Sequence, residues 1–371
     1  LSLKKLETQQ EKEAAQQEIK PAQAYLVQWK EYFAPAALYY LLDQGIQVKV
    51  AKEPFAVNID GRIKQFSRGT LIIPSGLKNR NREDLGKHLK KAAQMGKVEI
   101  FAASTALTPD GVDLGSPSID PLHKPEVLLV TGKGVNTYEA GEVWHLFDTR
   151  YQIPVTMADQ DEVEDVDLDR YTTIILVDGD YDRLSGAAGK LKNWTERGGQ
   201  ILAQEDAVEW LIDTGLSEIA LVKEKEEEHS ADNAPQKMKP YADYSRTRGA
   251  QNIGGTIFET QVDTTHPLLY GYHREVLPWF RNSKLFLKPS TSAFASPIRY
   301  TADPLLSGYV SDENLDKISG SAALVVESVG DGRIIALSDN PNFRGIWYGT
   351  NKIMANAVFF GHIIRNSTAR Y

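Results

Sequence analysis

The stretch ILAQEDAVEWL, residues 201–211, reads as a strand that passes through a tight polar turn into a helix. In α/β hydrolytic folds such a turn holds the nucleophile at the head of a helix. Here it offers Gln204, Glu205 and Asp206, and neither cysteine nor serine. Two readings of the turn stay open. Glu205 or Asp206 can cap the helix by accepting hydrogen bonds from its free N–H groups. Alternatively the two form an acid–base pair, if one projects into a dry pocket that raises its pKa.

Upstream, EVLLVTGKG (126–134) is a buried-type strand ending in glycines, followed by the helix YEAGEVWHLFDTR. IPVTMA and YTTIILVDG are two more strands, and RLSGAAGKLKNWTERGG is an amphipathic helix closed by Gly198 and Gly199. With QILAQ as the fourth strand, this alternation implies a doubly wound, mostly parallel sheet with helices on both faces.

Downstream, KEKEEEHSADNAPQKMK (223–239) is a charged segment expected to form an exposed loop. GTIFETQVDTTHPLLYGY and SKLFLKPS look like extended parts of an insertion over about residues 217–300. SAALVVESVGDGRIIALSD is a hairpin turning at Gly330, Asp331 and Gly332. A last helix, TNKIMANAVFFGHIIR, puts Ile353, Ala357 and Phe360 on one face.

Before the sheet, residues 22–125 form a small α/β domain and linker. Its strands are AYLVQW, QVKVA and KVEIFAA, its helices APAALYYLLDQG and NREDLGKHLKKAAQMG, and GRIKQFSRGTLIIP is a bent pair of strands. TPDGVDLGSPSIDPLHKP (108–125) is the linker. Residues 1–21, rich in Gln, Glu and Lys, form a connecting helix stopped at Pro21. The start at Leu1, with neither initiator Met nor an apolar leader, is expected of a piece of something longer.

The bulk numbers exclude several functions. A chain of 371 residues accommodates two domains. A net charge of -8 argues against nucleic acid, which needs clustered cations; the lysines at 87–97 are the polar face of a helix. The absence of cysteine removes disulfides and thiolate nucleophiles, and no apolar run spans a bilayer.

Other motifs have plain readings. The glycines at 132 and 134 lack the rest of a dinucleotide fingerprint and form a tight turn. DVDLDRY (165–171) has Arg170 where a calcium loop needs glycine. His123 and Glu126 lack a third ligand, so no metal site and no cofactor is expected in this chain. SDNPNFRGIWYGTNK (338–352) follows a strand at the expected carboxyl edge of the sheet. Its Asp339, Asn342, Arg344, Trp347 and Tyr348 mix hydrogen-bonding groups with flat rings, which suits self-packing, a domain contact, or a small-molecule or glycan site.

HPLLYGY, PLLSGYVSDENL, GRIIALSDNPNFRGIWYGTNKIMANAVFFG and residues 108–156 resemble the C-terminal region of large secreted bacterial zinc carboxypeptidase-like proteins. The region from Glu126 is also similar in strand order to class I glutamine amidotransferase-like domains, of flavodoxin-like architecture. In those domains the nucleophilic cysteine occupies the turn held here by AQEDA, so the resemblance implies an elbow without its thiol. The carboxypeptidase resemblance implies a peptidase module, with its zinc, as part of the same polypeptide before Leu1. It also implies a peptide substrate, and a secreted or periplasmic location. This chain would be the non-catalytic part; a carboxylate hydrolase at Glu205 and Asp206 is the alternative.

Overall fold

A computed structural model describes residues 17–76, 82–222, 238 and 240–365. The charged loop at 223–239 lies outside them apart from Met238, as does most of the connecting helix expected over 1–21. Residues 17–21 are not helical: the Ile100 N–H donates to Gln17 Oε1 at 3.0 Å.

The N-terminal region builds two small sheets. The strands β1 (Ala24–Val27), β2 (Lys49–Ala51), β3 (Phe55–Ile59), β4 (Arg62–Phe66), β5 (Leu71–Pro74), β6 (Ile100–Ala103), β7 (Asp110–Gly111) and β8 (Ile119–Pro121) divide as β6-β1-β5-β2-β8 and β4-β3-β7. All their pairings are antiparallel. Two expectations are corrected. β4 and β5 do not pair, because the chain between them crosses from one sheet to the other, with Phe66, Phe55 and Phe101 filling the space between the sheets. The 108–125 linker is also structural: β7 and β8 each add a strand to one of the sheets.

The second region is one nine-stranded sheet. In chain order its strands are β9 (Val127–Thr131), β10 (Val155–Asp159), β11 (Thr173–Leu176), β12 (Gln200–Gln204), β13 (Thr256–Val262), β14 (Val276–Arg281), β15 (Ile298–Ser307), β16 (Ala322–Val329) and β17 (Gly332–Leu337). Across the sheet the order is β10-β9-β11-β12-β17-β16-β15-β13-β14, parallel as far as β17 and antiparallel beyond it. The parallel part follows the flavodoxin-like order 2-1-3-4-5. Three of its strands, β11, β12 and β17, are buried along their whole length, as expected for strands covered on both faces. β13 alternates buried and more exposed residues, the period-two pattern of an antiparallel strand. The insertion at 217–300 thus widens the sheet.

Of the helices α1 (Ala34–Asp43), α2 (Arg82–Gly96), α3 (Thr137–Trp144), α4 (Ala188–Glu196), α5 (Asp206–Asp213), α6 (Tyr244–Ala250), α7 (Asp312–Ile318) and α8 (Lys352–Phe360), the last is buried at all nine positions. It lies between the sheet and the N-terminal region. Trp29 packs edge-on against Phe359 and Phe360, and its Nε1 donates to Asn356 Oδ1 at 2.6 Å. Asn356 Nδ2 donates to the Leu268 and Tyr270 carbonyls at 2.7 and 2.9 Å. Lys352 Nζ donates to the Trp29 and Glu31 carbonyls. A single apolar cluster therefore runs through both regions. Asn356→Ala should lower stability by about 2–4 kcal/mol, because each buried group left without a partner costs about 1–3 kcal/mol. The shift in urea midpoint measures it; a loss within error would mean the contact does not tie the regions together.

Candidate functional site

The parallel strands carry a set of acids at their carboxyl ends, where the flavodoxin-like order reverses direction beside β9 and open α/β folds form ligand crevices. Glu139 lies in the first turn of α3, which follows β9. Asp178 follows β11, Glu205 follows β12 and Asp339 follows β17. α3 begins where it does because Asn136 caps it, its side chain accepting from the Tyr138 and Glu139 N–H groups. That fixes Glu139 next to β11, whose following Asp178 N–H donates to Glu139 Oε2 at 3.2 Å.

Glu205 makes the elbow. Its backbone sits at φ 52°, ψ −128°, a region that favours glycine and costs a residue with a side chain on the order of 1–3 kcal/mol. Its N–H donates to the Leu337 carbonyl at 3.1 Å, anchoring the turn to β17, and the Val208 N–H returns to its carbonyl at 2.9 Å. The capping expectation is corrected here. Glu205 occupies the cap position but its side chain makes no cap bond, because this backbone turns it away from the helix end, and Oε1 accepts from the Asn340 N–H at 3.0 Å. Asp206, first in the helix, is exposed. Gln204, just before the elbow, is buried, with neither side-chain amide atom hydrogen-bonded among the described residues.

The electrostatics follow from crowding and burial. Glu205 is 5 % exposed and Asp339 is fully buried. Burial, then the charges of Asp339, Glu139 and Asp178, push the Glu205 carboxyl up to about 10. Burial and Asp178 push Glu139 up to about 8. Burial raises Asp339 to about 6, against the pull of the Arg281 guanidinium. Arg281, also fully buried, lies 3.3 Å from Asp339 Oδ2. Asp339 Oδ1 accepts from the Asn282 and Ser283 N–H groups, both at 2.8 Å. These shifts favour the un-ionised form of Glu205 and Glu139 near neutral pH, beside an Asp339–Arg281 ion pair whose guanidinium Nε has no hydrogen-bond partner among the described residues. Carboxylate oxygens of Glu139, Asp178 and Glu205 lie within 4.8 Å of one another. They could share protons or supply part of the oxygen shell of a hard cation, which takes six to eight ligands.

The 338–352 loop places its candidates unevenly. Asn342 is buried and structural: its Nδ2 donates to the Glu142 carbonyl at 2.8 Å, and its N–H to Asn340 Oδ1. Arg344 is exposed, at φ 51°. Trp347 is half-buried near Phe280, its Nε1 without a partner among the described residues. Tyr348 reaches the N-terminal region, its ring 5.5 Å from Tyr32 and 4.6 Å from the Arg150 guanidinium. Self-packing and domain contact describe this loop. Glu205 and Asp339 belong to the acid cluster; Arg344, Trp347 and Tyr348 do not. Sequence reasoning missed Glu139, Asp178 and Arg281. The first two had a signal, since each acid follows a parallel strand; Arg281 had none, because β14 joins the sheet from the far end.

No family model matches the chain, and no curated protein matches it. Among solved structures, PurLQS from Thermotoga maritima is similar at 18% identity and a TM-score of 0.40, over 62% of this chain and 96% of that one. A putative GMP synthase subunit from Thermoplasma acidophilum gives 12% and 0.37, over 64% and 94%. A putative ThuA-like protein from Parabacteroides merdae gives 11% and 0.37, over 64% and 91%. The architecture assigned above rests on the strand order itself. No helix among the described residues is long and apolar enough to cross a membrane.

Proposed function

We propose that this chain is a non-catalytic accessory region of a secreted or periplasmic zinc carboxypeptidase-like protein. It would serve through interdomain packing and substrate contact beside a peptidase module that holds the zinc. The observation that carries the proposal is the inward turn of Glu205. A carboxylate nucleophile must be ionised and project outward, whereas this carboxyl is buried, has its pKa pushed up to about 10 and is bonded to the Asn340 N–H. The sequence has no cysteine to take its place. The block resemblance of residues 108–156 and 332–361 supports the choice of parent.

The chain, assayed with added zinc on peptides with free C-termini and separately on glutamine, should release nothing above buffer. Mixed with a peptidase module of that family, it should bind and alter KM with little effect on kcat. Cleavage by the chain alone, abolished by Glu205→Gln, would overturn the proposal. That outcome would favour the second reading, a carboxylate hydrolase. The specific support for it is the raised Glu205 and Glu139 pair, since an acid that keeps its proton near neutral pH suits general acid catalysis.

A further inference from the structure

At the opposite end of the sheet, two adjoining cavities of about 540 and 570 Å³ open beside the starts of β11, β12 and β17. They share three residues, His123, Arg333 and His362. Arg333 is 6 % exposed. Its Nη1 donates to the Ile364 carbonyl at 2.7 Å, but among the described residues it forms no ion pair. The other cations there differ. Lys52 pairs with Asp120 at 2.6 Å, Lys124 with Asp43 and Glu126 at 3.0 Å, and Arg197 with Asp169 at 2.6 Å. Arg365, exposed at the rim, is unpaired among the described residues like Arg333. The exposed rings of His123 and His362 lie 5.3 Å apart between their centroids.

A guanidinium withdrawn from water without a counter-charge is costly, and such a group is ordinarily paired. Here the carboxylates that line the crevice, Asp120 and Asp169, are already paired with Lys52 and Arg197, and Arg365 adds a cation at the rim that is unpaired among the described residues. We infer that this crevice binds an oxyanion, a phosphate or carboxylate group of a small molecule, with the Arg333 fork as its principal contact and His123, His362 and Arg365 at its rim. A planar fork suits both oxyanions, which it can grip through two parallel N–H donors. The site is independent of the elbow and of the function proposed above.

The test is calorimetric titration of the chain with inorganic phosphate and, separately, acetate at low ionic strength. At least one should bind saturably; the tighter of the two identifies the source as phosphate or carboxylate, and either supports the site. Arg333→Met should weaken binding about tenfold or more, as expected for loss of a charge-assisted contact. The double variant His362→Gln, Arg365→Gln changes only exposed side chains, should fold as wild type, and should weaken binding severalfold. It decides the matter if Arg333→Met does not fold. Absence of saturation by both anions below about 10 mM, or wild-type affinity in the double variant and in a folded Arg333→Met, would overturn the inference.

Discussion

Asp339→Ala should destabilise the protein by about 3–5 kcal/mol, the usual cost of removing one partner from a buried ion pair. Asp339 and Arg281 are both fully buried, so the guanidinium would lose its counter-charge with no water to replace it. The Asn282 and Ser283 N–H groups would lose their acceptor at the same time. Removing the charge on both sides, as in Arg281→Met with Asp339→Leu, should recover much of the loss, since a buried pair and an apolar substitute are often close in stability. Urea unfolding of the three proteins measures this. A loss below about 1 kcal/mol for Asp339→Ala would mean that the pair is solvated rather than buried.

Glu205→Gln should make stability less dependent on pH and should leave the variant more stable than wild type in alkali. Glu205 and Glu139 hold protons in the folded chain up to about 10 and about 8, whereas in the unfolded chain they lose them near 4.5. Folding therefore takes up protons in that window. The contribution is fully present below the unfolded value and is lost as pH rises through the folded ones. Each proton is worth about 1.4 kcal/mol per pH unit. Lys352 acts in the opposite sense, because burial lowers it to about 7 and the folded chain binds fewer protons than the unfolded one above that value. Lys352 is present in both proteins, so the difference between their slopes isolates Glu205. Unfolding free energies from about pH 5 to about pH 9 should differ in slope by nearly one proton. Parallel curves would mean Glu205 is ionised throughout.

The parallel part of the fold was legible because both of its signals are local. Apolar runs such as VLLV and TIIL mark strands covered on both faces, and glycines and amphipathic helices separate them. What escaped was non-local. DG at 110–111 and IDP at 119–121 have no strand-like pattern and become strands only because sheet edges lie waiting for them. The role of Glu205 was likewise half visible. Its position at an elbow could be read from residues 201–211, but the direction of its side chain depends on the Asn340 N–H, 135 positions away. Arg281 illustrates the limit most plainly, since nothing in VLPWFR announces a counter-charge to an aspartate after β17.

At the elbow, Glu205 faces inward beside other acids, and the proposed function depends on its carboxyl keeping its proton near neutral pH. Carbon-13 NMR of the chain labelled at glutamate carboxyl carbons, with Glu205→Gln assigning the resonance, measures it directly. The Glu205 signal at neutral pH should be that of a protonated carboxyl, and should move to the ionised position only in alkali. A Glu205 signal that titrates near the ordinary glutamate value of about 4.3 would contradict it.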